Sequence, residues 1–419
     1  MKNYSRFLIL LCISGNSIWF FEANAQITLP ADSDIIGQEF TIKADELPKP
    51  YATPVEALRP RISNSNKEGN LNLPPNFKVE VFRSGLTHAR WLEVLENGDV
   101  LVAESRAGEI TLLRDTNGDG IADMKTELIS NLDRPHGMAI IGDWLYIGEP
   151  KQIRRVPFNV GDTKVTGRIE YVTEQGSLGD GGGHWTRNLL YDEKDHALYV
   201  SVGSAANMDI EPSPRATIQK FDLSTNKLET VASGLRNPVG IDFDPVTGKL
   251  YTVVNERDGY GDGLVPDYLT YVIQDGFYGW PYAYSGAIPD PDYAEDAPEM
   301  VPKSLLPDVL FRSHSAPLGL AFYKSDQFPK EYLNDAFVAF HGSWNASIPT
   351  GYKIVRVPFE NGTPTGSYEN FATGFRTNAT EDGAAKVWGR PVGLAIAKDG
   401  ALLVADDVSQ TVWRISYAE

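Results

Sequence analysis

Cysteine is all but absent. Of 419 residues only Cys12 carries a thiol, and it lies within the first 25 residues. The chain beyond it can form neither a disulfide nor a thiolate metal site, so stability must come from a large buried core. Positive charge is also short, with 38 Lys and Arg against 56 Asp and Glu and a formal net charge of −18. Such a surface repels nucleic acid and anionic lipid. No apolar run approaches the roughly 20 residues a membrane-spanning helix needs, which argues against stable membrane insertion. Helical periodicity is missing too, while Val, Ile, Tyr, Trp and Thr fill the runs between Gly, Pro, Asn and Asp turns. That pattern predicts strands.

The first 25 residues read as a secretory signal peptide. Lys2 and Arg6 precede the apolar run Phe7 to Ile13, and Ala23-Asn24-Ala25 places small residues at the cleavage positions. The expectation is an exported protein, periplasmic or secreted, that starts at Gln26. Loss of Lys2, Arg6 and Glu22 takes the net charge to −19. Residues 26–75, rich in Pro, Asn and polar groups, read as an extended lead-in.

From residue 76 to residue 419 one pattern recurs. Gly389-Arg390-Pro391-Val392-Gly393-Leu394 runs through Lys398-Asp399-Gly400 into Ala401-Leu402-Leu403-Val404-Ala405-Asp406, a strand, a turn and a second strand. Related stretches begin at Asn237-Pro238-Val239-Gly240 and Arg134-Pro135-His136-Gly137. Looser ones begin at His88, His184 and His314. Six units, each with room for about four strands, predict an all-β fold, a six-bladed β-propeller. The segment from Tyr284 to Pro302 falls outside the pattern and reads as a solvated loop.

Where each unit opens, the residues are polar: Arg90, Arg134 with His136, His184 with Arg187, Arg236 with Asn237, His314, and Arg390. Equivalent positions of a propeller form a ring around its axis. Arginines gathered there, in so acidic a chain, predict an axial pocket for a ligand with several carboxylates. Any one of these arginines taken alone reads as a bridge from neighbouring blades to acidic loop residues, and it is their recurrence at one repeat position that points to the pocket. Gly179 to Gly183 lets backbone approach a ligand closely beside His184, which could take up a proton. Asp115-Thr116-Asn117-Gly118-Asp119-Gly120-Ile121-Ala122-Asp123 resembles the start of a calcium loop, but Thr126 stands where the bidentate Glu belongs, so it reads as a hairpin turn, with a weak structural calcium site as the alternative. Asn345, Asn361 and Asn378 head glycosylation sequons.

Several stretches together resemble the pyrroloquinoline quinone (PQQ)-dependent sugar dehydrogenases, in their sorbosone dehydrogenase-like branch, and more distantly soluble glucose dehydrogenase. They are Gly183-His184-Trp185-Thr186-Arg187-Asn188, Gly234-Leu235-Arg236-Asn237-Pro238, Asn255-Glu256-Arg257-Asp258, Gly276-Phe277-Tyr278-Gly279-Trp280-Pro281 and His341-Gly342-Ser343-Trp344-Asn345. The resemblance implies a six-bladed propeller with PQQ over the axis and Ca2+ bound to the quinone. It implies His184 as catalytic base and Arg236 with Asn237 beside the reactive quinone carbonyl. Glu256 and Arg257 would hold calcium through main-chain carbonyls. Arg390 and His341 would contact the cofactor, with Arg90 and Arg187 as further contacts. The substrate would be an aldose, a pyranose or a sorbosone-like aldehyde. No haem-attachment motif is present, so electrons would pass to a separate acceptor. Two other readings stay open: a calcium-dependent lactonase, which needs a carboxylate-rich axial cage, and a non-catalytic binding propeller, whose axial arginines would have internal acidic partners.

Overall fold

A computed structural model describes residues 32–63, 69–378 and 383–418. The expected signal peptide lies outside the described residues. Among the described residues secondary structure is all β apart from four single-turn 3-10 segments. The chain is a six-bladed propeller, as the repeat predicts. Blade 1 consists of Ala89–Val94, Val100–Glu104, Glu109–Arg114 and Met124–Ile129. The innermost strands of the next four blades are Met138–Ile141, Arg187–Asp192, Asn237–Phe243 and Pro317–Phe322. Blade 6 takes Pro391–Ile396, Leu402–Asp406 and Thr411–Tyr417 from the C-terminus. Its outer strand, Phe77–Ser84, comes from the start of the repeat region. This pairing closes the ring and leaves no open sheet edge between first and last blade.

The recurring glycine of the repeat has a steric cause. Innermost strands of adjacent blades approach so closely that a Cβ on Gly240 would lie 2.7 Å from the Leu318 carbonyl oxygen. On Gly319 it would lie 2.2 Å from that of Val392, and on Gly393 2.5 Å from that of Arg90. Only glycine permits that approach. The second strands read as unbroken apolar runs because each is packed between neighbouring blades: Val100, Leu101, Val102 and Ala103 are all buried, as are Leu402 to Ala405.

Four innermost strands shift register within their first residues, at Ala89/Trp91, Pro238/Ile241, Pro317/Gly319 and Pro391/Leu394. Such bulges turn a side chain away from the regular pleat. Here they sit where each blade opens onto the axis.

The lead-in is fastened down. Glu39–Phe40 adds a fifth strand to blade 5, and Arg61–Ile62 pairs in parallel with Lys386–Val387. The Tyr284 to Pro302 segment departs from the solvated loop expected of it. Ala283–Tyr284 pairs with Ile288–Pro289, and Asp290 is buried in an ion pair with Arg257 at 2.7 Å. Burial of the Asp290 carboxylate is tolerated because Tyr260 also donates to it at 3.0 Å.

Candidate functional site

The blade openings converge on an axial cavity of about 1020 Å³. Arg90, His184, Arg236, Asn237, Glu256, His341 and Arg390 all line it. Its size is at the upper end of the roughly 300–1,000 Å³ typical of ligand pockets. His88, Arg134 and His314, at the openings of three blades, adopt φ of 60°, 44° and 65°. Left-handed backbone at bulky residues is costly, and it gathers at functional sites.

On one wall stands His184. Its Nδ1 lies 2.9 Å from the Ser204 carbonyl oxygen and 3.0 Å from the Ser204 hydroxyl. Donation from Nδ1 to the carbonyl leaves the Nε2 lone pair for the cavity. Burial, followed by the Arg236 charge, pushes the imidazole pKa down to about 3, so the ring is neutral at pH 7. Gly203 makes room for this wall: a Cβ there would lie 2.4 Å from Asn237 Oδ1 and 2.6 Å from His184 Cβ. Arg236 donates to the carbonyl oxygens of Asn207 at 3.0 Å, Asn255 at 3.2 Å and Glu256 at 2.8 Å, and to Asn207 Oδ1 at 2.9 Å. These bonds leave one guanidinium N–H for a ligand.

The opposite wall is cationic and built around Asp407, a residue that the repeat pattern did not single out. Its carboxylate accepts from Arg90 at 2.7 Å, and His341 Nε2 lies 3.1 Å from both its oxygens. His88 stands 3.5 Å away. Burial opposes ionisation of Asp407, yet His341, Arg90 and Arg390 together hold its pKa below the usual carboxylate range. Burial, then the nearby arginines, pushes His88 and His341 down to about 4. Arg390 donates to the His341 and Gly342 carbonyls at 2.9 and 2.8 Å. Arg90 and Arg134 flank the Trp185 ring at 5.5 and 5.8 Å. Arg90 thus has the internal acidic partner of a structural arginine, whereas the hydrogen bonds of Arg236 and Arg390 among the described residues go to carbonyl oxygens.

Two expected site residues keep their side chains away from the cavity. Arg187 is fully buried and donates to the carbonyls of Leu178, His184 and Thr186. It anchors the backbone of His184. The Arg257 guanidinium points toward Asp290 and packs on the Tyr260 ring at 3.7 Å. Next to it, Glu256, Asp258 and Asp267 bring carboxylates to the cavity. His314 pairs with Asp258 at 3.1 Å and reaches the Gly261 carbonyl at 3.0 Å, and against the effect of burial this raises its pKa.

A signal for the missed residues exists in the repeat. In an antiparallel blade the end of the second strand lies beside the start of the first: Asn237 pairs with Asn255, and Pro391 with Asp406. The residues just past the six second strands are Ser105, Glu149, Gly203, Glu256, His341 and Asp407. All but Glu149 and Gly203 line the cavity.

Comparison with known proteins agrees with this geometry. The Glucose / Sorbosone dehydrogenase signature matches residues 216–343, and the TrAA12-like signature matches residues 71–262 and 299–418. A pyrroloquinoline quinone-dependent pyranose dehydrogenase of Coprinopsis cinerea is 27% identical over 82% of this chain and 54% of its own length. An uncharacterized protein of Borreliella burgdorferi is 35% identical over 56% of this chain and 61% of its own. The chain therefore spans only about half to three-fifths of these curated relatives. Among solved structures, the holo pyranose dehydrogenase PQQ domain from Coprinopsis cinerea superposes with a TM-score of 0.70 at 22% identity, covering 85% of this chain and 98% of that one. The Trichoderma reesei family AA12 calcium structure gives the same score at 23% identity, with the same coverage. The two matched TrAA12-like stretches hold His184, Arg236 and Asn237 on one wall of the cavity and Arg90, His341, Arg390 and Asp407 on the other, and the chain belongs to the TrAA12-like family.

Proposed function

We propose that this protein oxidises a sugar with PQQ as the electron acceptor, assisted by calcium, and passes the electrons to a separate partner. The observation that carries the reading is the pairing, across one cavity, of a neutral His184 with a cationic wall. PQQ carries three carboxylates, and the cavity offers unsatisfied polar groups to such a ligand. Arg90 Nε and His88 Nδ1 are buried without hydrogen-bond partners among the described residues, and groups of that kind are rare unless a ligand or water completes them. Arg90, Arg390 and His341 would hold the carboxylates, with Arg236 and Asn237 at the reactive carbonyl.

When bound, the quinone supplies the two-electron acceptor for hydride from the sugar carbon. His184 Nε2 accepts the proton of the reacting hydroxyl, and the Ser204 carbonyl steadies the positive ring that forms. The remaining Arg236 N–H and its fixed charge favour negative charge growing nearby.

For calcium we propose the main-chain carbonyls of Glu256 and Arg257. The Glu256 oxygen accepts one bond from Arg236 and keeps a second lone pair. Glu256, Asp258 and Asp267 bring carboxyl groups to that end of the cavity, but burial pushes Glu256 up to about 8 and Asp267 to about 7, and among the described residues no three acidic, His or Cys side chains are grouped to hold a metal, so the proposed ligands are main-chain oxygens. Bound there, calcium would polarise the quinone.

Reconstitution tests the reading. Apo-protein mixed with PQQ and Ca2+ should gain a bound-quinone absorbance and reduce a dye in the presence of aldoses. Chelation of calcium should abolish dye reduction. Absence of a bound quinone spectrum at saturating PQQ and Ca2+ would overturn the proposal. We further propose export through residues 1–25. Protein recovered outside the cytoplasm should begin at Gln26, and material there that retains Met1 would refute cleavage of this signal.

A further inference from the structure

The axial cavity opens sideways into a second compartment of about 450 Å³, walled by Arg59, Pro60, Ile62, Trp344, Arg390 and Val408. Ile62, Trp344, Arg390 and Val408 line both spaces, so the two are continuous. Their chemistry differs. Among the described residues no carboxylate lines the second compartment, and its wall combines an indole, two aliphatic side chains and a proline with two guanidinium groups. Trp344 is 45% and Ile62 67% exposed. Large apolar side chains left bare at the edge of a polar pocket mark a surface that meets a ligand.

Both sides of this compartment are fixed in place. Arg61 donates to the Ala385 carbonyl and Ser63 to that of Val387, each at 2.7 Å, which docks the Ile62 strand on its partner. Further back, Tyr51 donates to the Tyr260 carbonyl at 2.9 Å, and Asp262 to Thr53 Oγ1 at 2.7 Å. The segment between is thus tied at both ends, at the loop after the second strand of blade 4 and beside blade 6. Trp344 stands between buried Ser343 and Asn345, and Ser343 donates to the Thr350 carbonyl at 2.9 Å. Its backbone is anchored while the ring projects. Arg59 makes no hydrogen bond or ion pair among the described residues. The wall formed by Arg59, Pro60 and Ile62 also precedes residue 71, where the TrAA12-like match begins.

We infer that this compartment is a second sugar subsite and that the substrate is a di- or oligosaccharide. The ring to be oxidised occupies the axial cavity, and the next pyranose ring lies against the Trp344 indole. A pyranose presents a face of C–H bonds that packs on an aromatic face, while its hydroxyls point outward to donors. Trp344 and Ile62 supply the apolar contact, and Arg59 supplies N–H donors at the edge. A monosaccharide would be enclosed by the axial cavity alone and would leave Trp344 bare. The inference rests on the sugar-oxidising reading, and its test separates the two.

Methyl cellobioside, methyl maltoside and methyl glucoside cannot be oxidised at the anomeric carbon, so their binding to the apo-protein needs no quinone. Titration calorimetry should show at least one disaccharide glycoside binding about tenfold more tightly than methyl glucoside, the margin expected of one stacked ring. Trp344→Ala and Ile62→Ser should each shrink that margin, and Trp344→Tyr should keep most of it. In the PQQ-loaded enzyme, Trp344→Ala should lower the ratio of disaccharide to monosaccharide kcat/KM by about tenfold. No disaccharide advantage in the wild type, or an equal advantage in Trp344→Ala, would overturn the subsite. Disaccharide binding through Trp344 without any sugar oxidation would keep the subsite and defeat the activity. Oxidation of glucose with no disaccharide advantage would do the reverse.

Discussion

Replacing His184 with alanine should lower sugar oxidation by about 10²–10⁴-fold, the contribution of a positioned general base, while leaving PQQ binding nearly intact. The expectation follows from the ring's surroundings. The Ser204 carbonyl fixes Nδ1 as donor, and burial beside Arg236 keeps the imidazole neutral with Nε2 as acceptor. Arg90, Arg390 and His341, which would hold the carboxylates, belong to the opposite wall, so quinone affinity should survive its loss. The pH profile supplies a second readout. Because the imidazole pKa is pushed down to about 3, the base stays available through the neutral and mildly acidic range. The acid limb of kcat/KM should therefore fall well below the free-histidine value of about 6.5. Stability depends on pH in the same direction but over a higher window. An unfolded histidine titrates near 6.5 and the folded one lower, so the stability contributed by the neutral ring is complete above about pH 6.5 and declines as pH falls below it. His184→Ala should lessen that decline. Steady-state kinetics of the loaded variant, with its melting temperature measured in parallel, decides the matter. A lowered melting temperature with normal turnover per folded molecule would make His184 a structural residue.

The propeller was legible because close approach at the axis makes the same steric demand of four of the six blades, at Gly137, Gly240, Gly319 and Gly393. The glycine of each Pro-x-Gly stretch faces the backbone of the next innermost strand, as at Gly240, Gly319 and Gly393. Its recurrence in the sequence is therefore a direct trace of the fold. The polar ring was legible for a related reason, since the residues before those glycines all open onto one cavity. Arg187 shows where the reasoning from repeats stops. It occupies a comparable place in its blade, but the Leu178 carbonyl reaches it from a connecting loop outside the repeat. Nothing in a repeated pattern reveals whether such a loop will satisfy a guanidinium. The Arg59–Ile62 wall was hidden for a similar reason. It is contributed by the lead-in, whose parallel pairing with Lys386–Val387 joins residues more than three hundred positions apart. Asp407 differs from both. It stands at a recurring place, the end of a second strand, and could have been found by following the antiparallel register from Arg390-Pro391 across to Asp406-Asp407.

Asp407→Ala should destabilise the protein by about 3–5 kcal/mol, the usual consequence of removing one partner from a buried ion pair. Arg90 would lose its carboxylate while its side chain is only 7% exposed. His341 and His88 would lose the carboxylate beside them and remain neutral. Asp407→Asn should restore part of the loss by keeping an acceptor oxygen for Arg90 without the charge. The sign with pH follows from the depressed carboxylate. A folded pKa below the unfolded value of about 3.9 contributes stability that is fully present above that value and is lost as pH falls through the folded pKa. The deficit of the alanine variant in urea denaturation should therefore be constant from pH 8 to pH 5 and shrink only in strong acid. The cofactor reading adds a further expectation. If the wall around Arg90 exists to receive carboxylates, PQQ can replace the missing anion, and the melting temperature of Asp407→Ala should rise more on addition of PQQ than that of the wild type. Equal increments would show that Asp407 neutralises a purely structural cluster and that PQQ carboxylates do not approach Arg90.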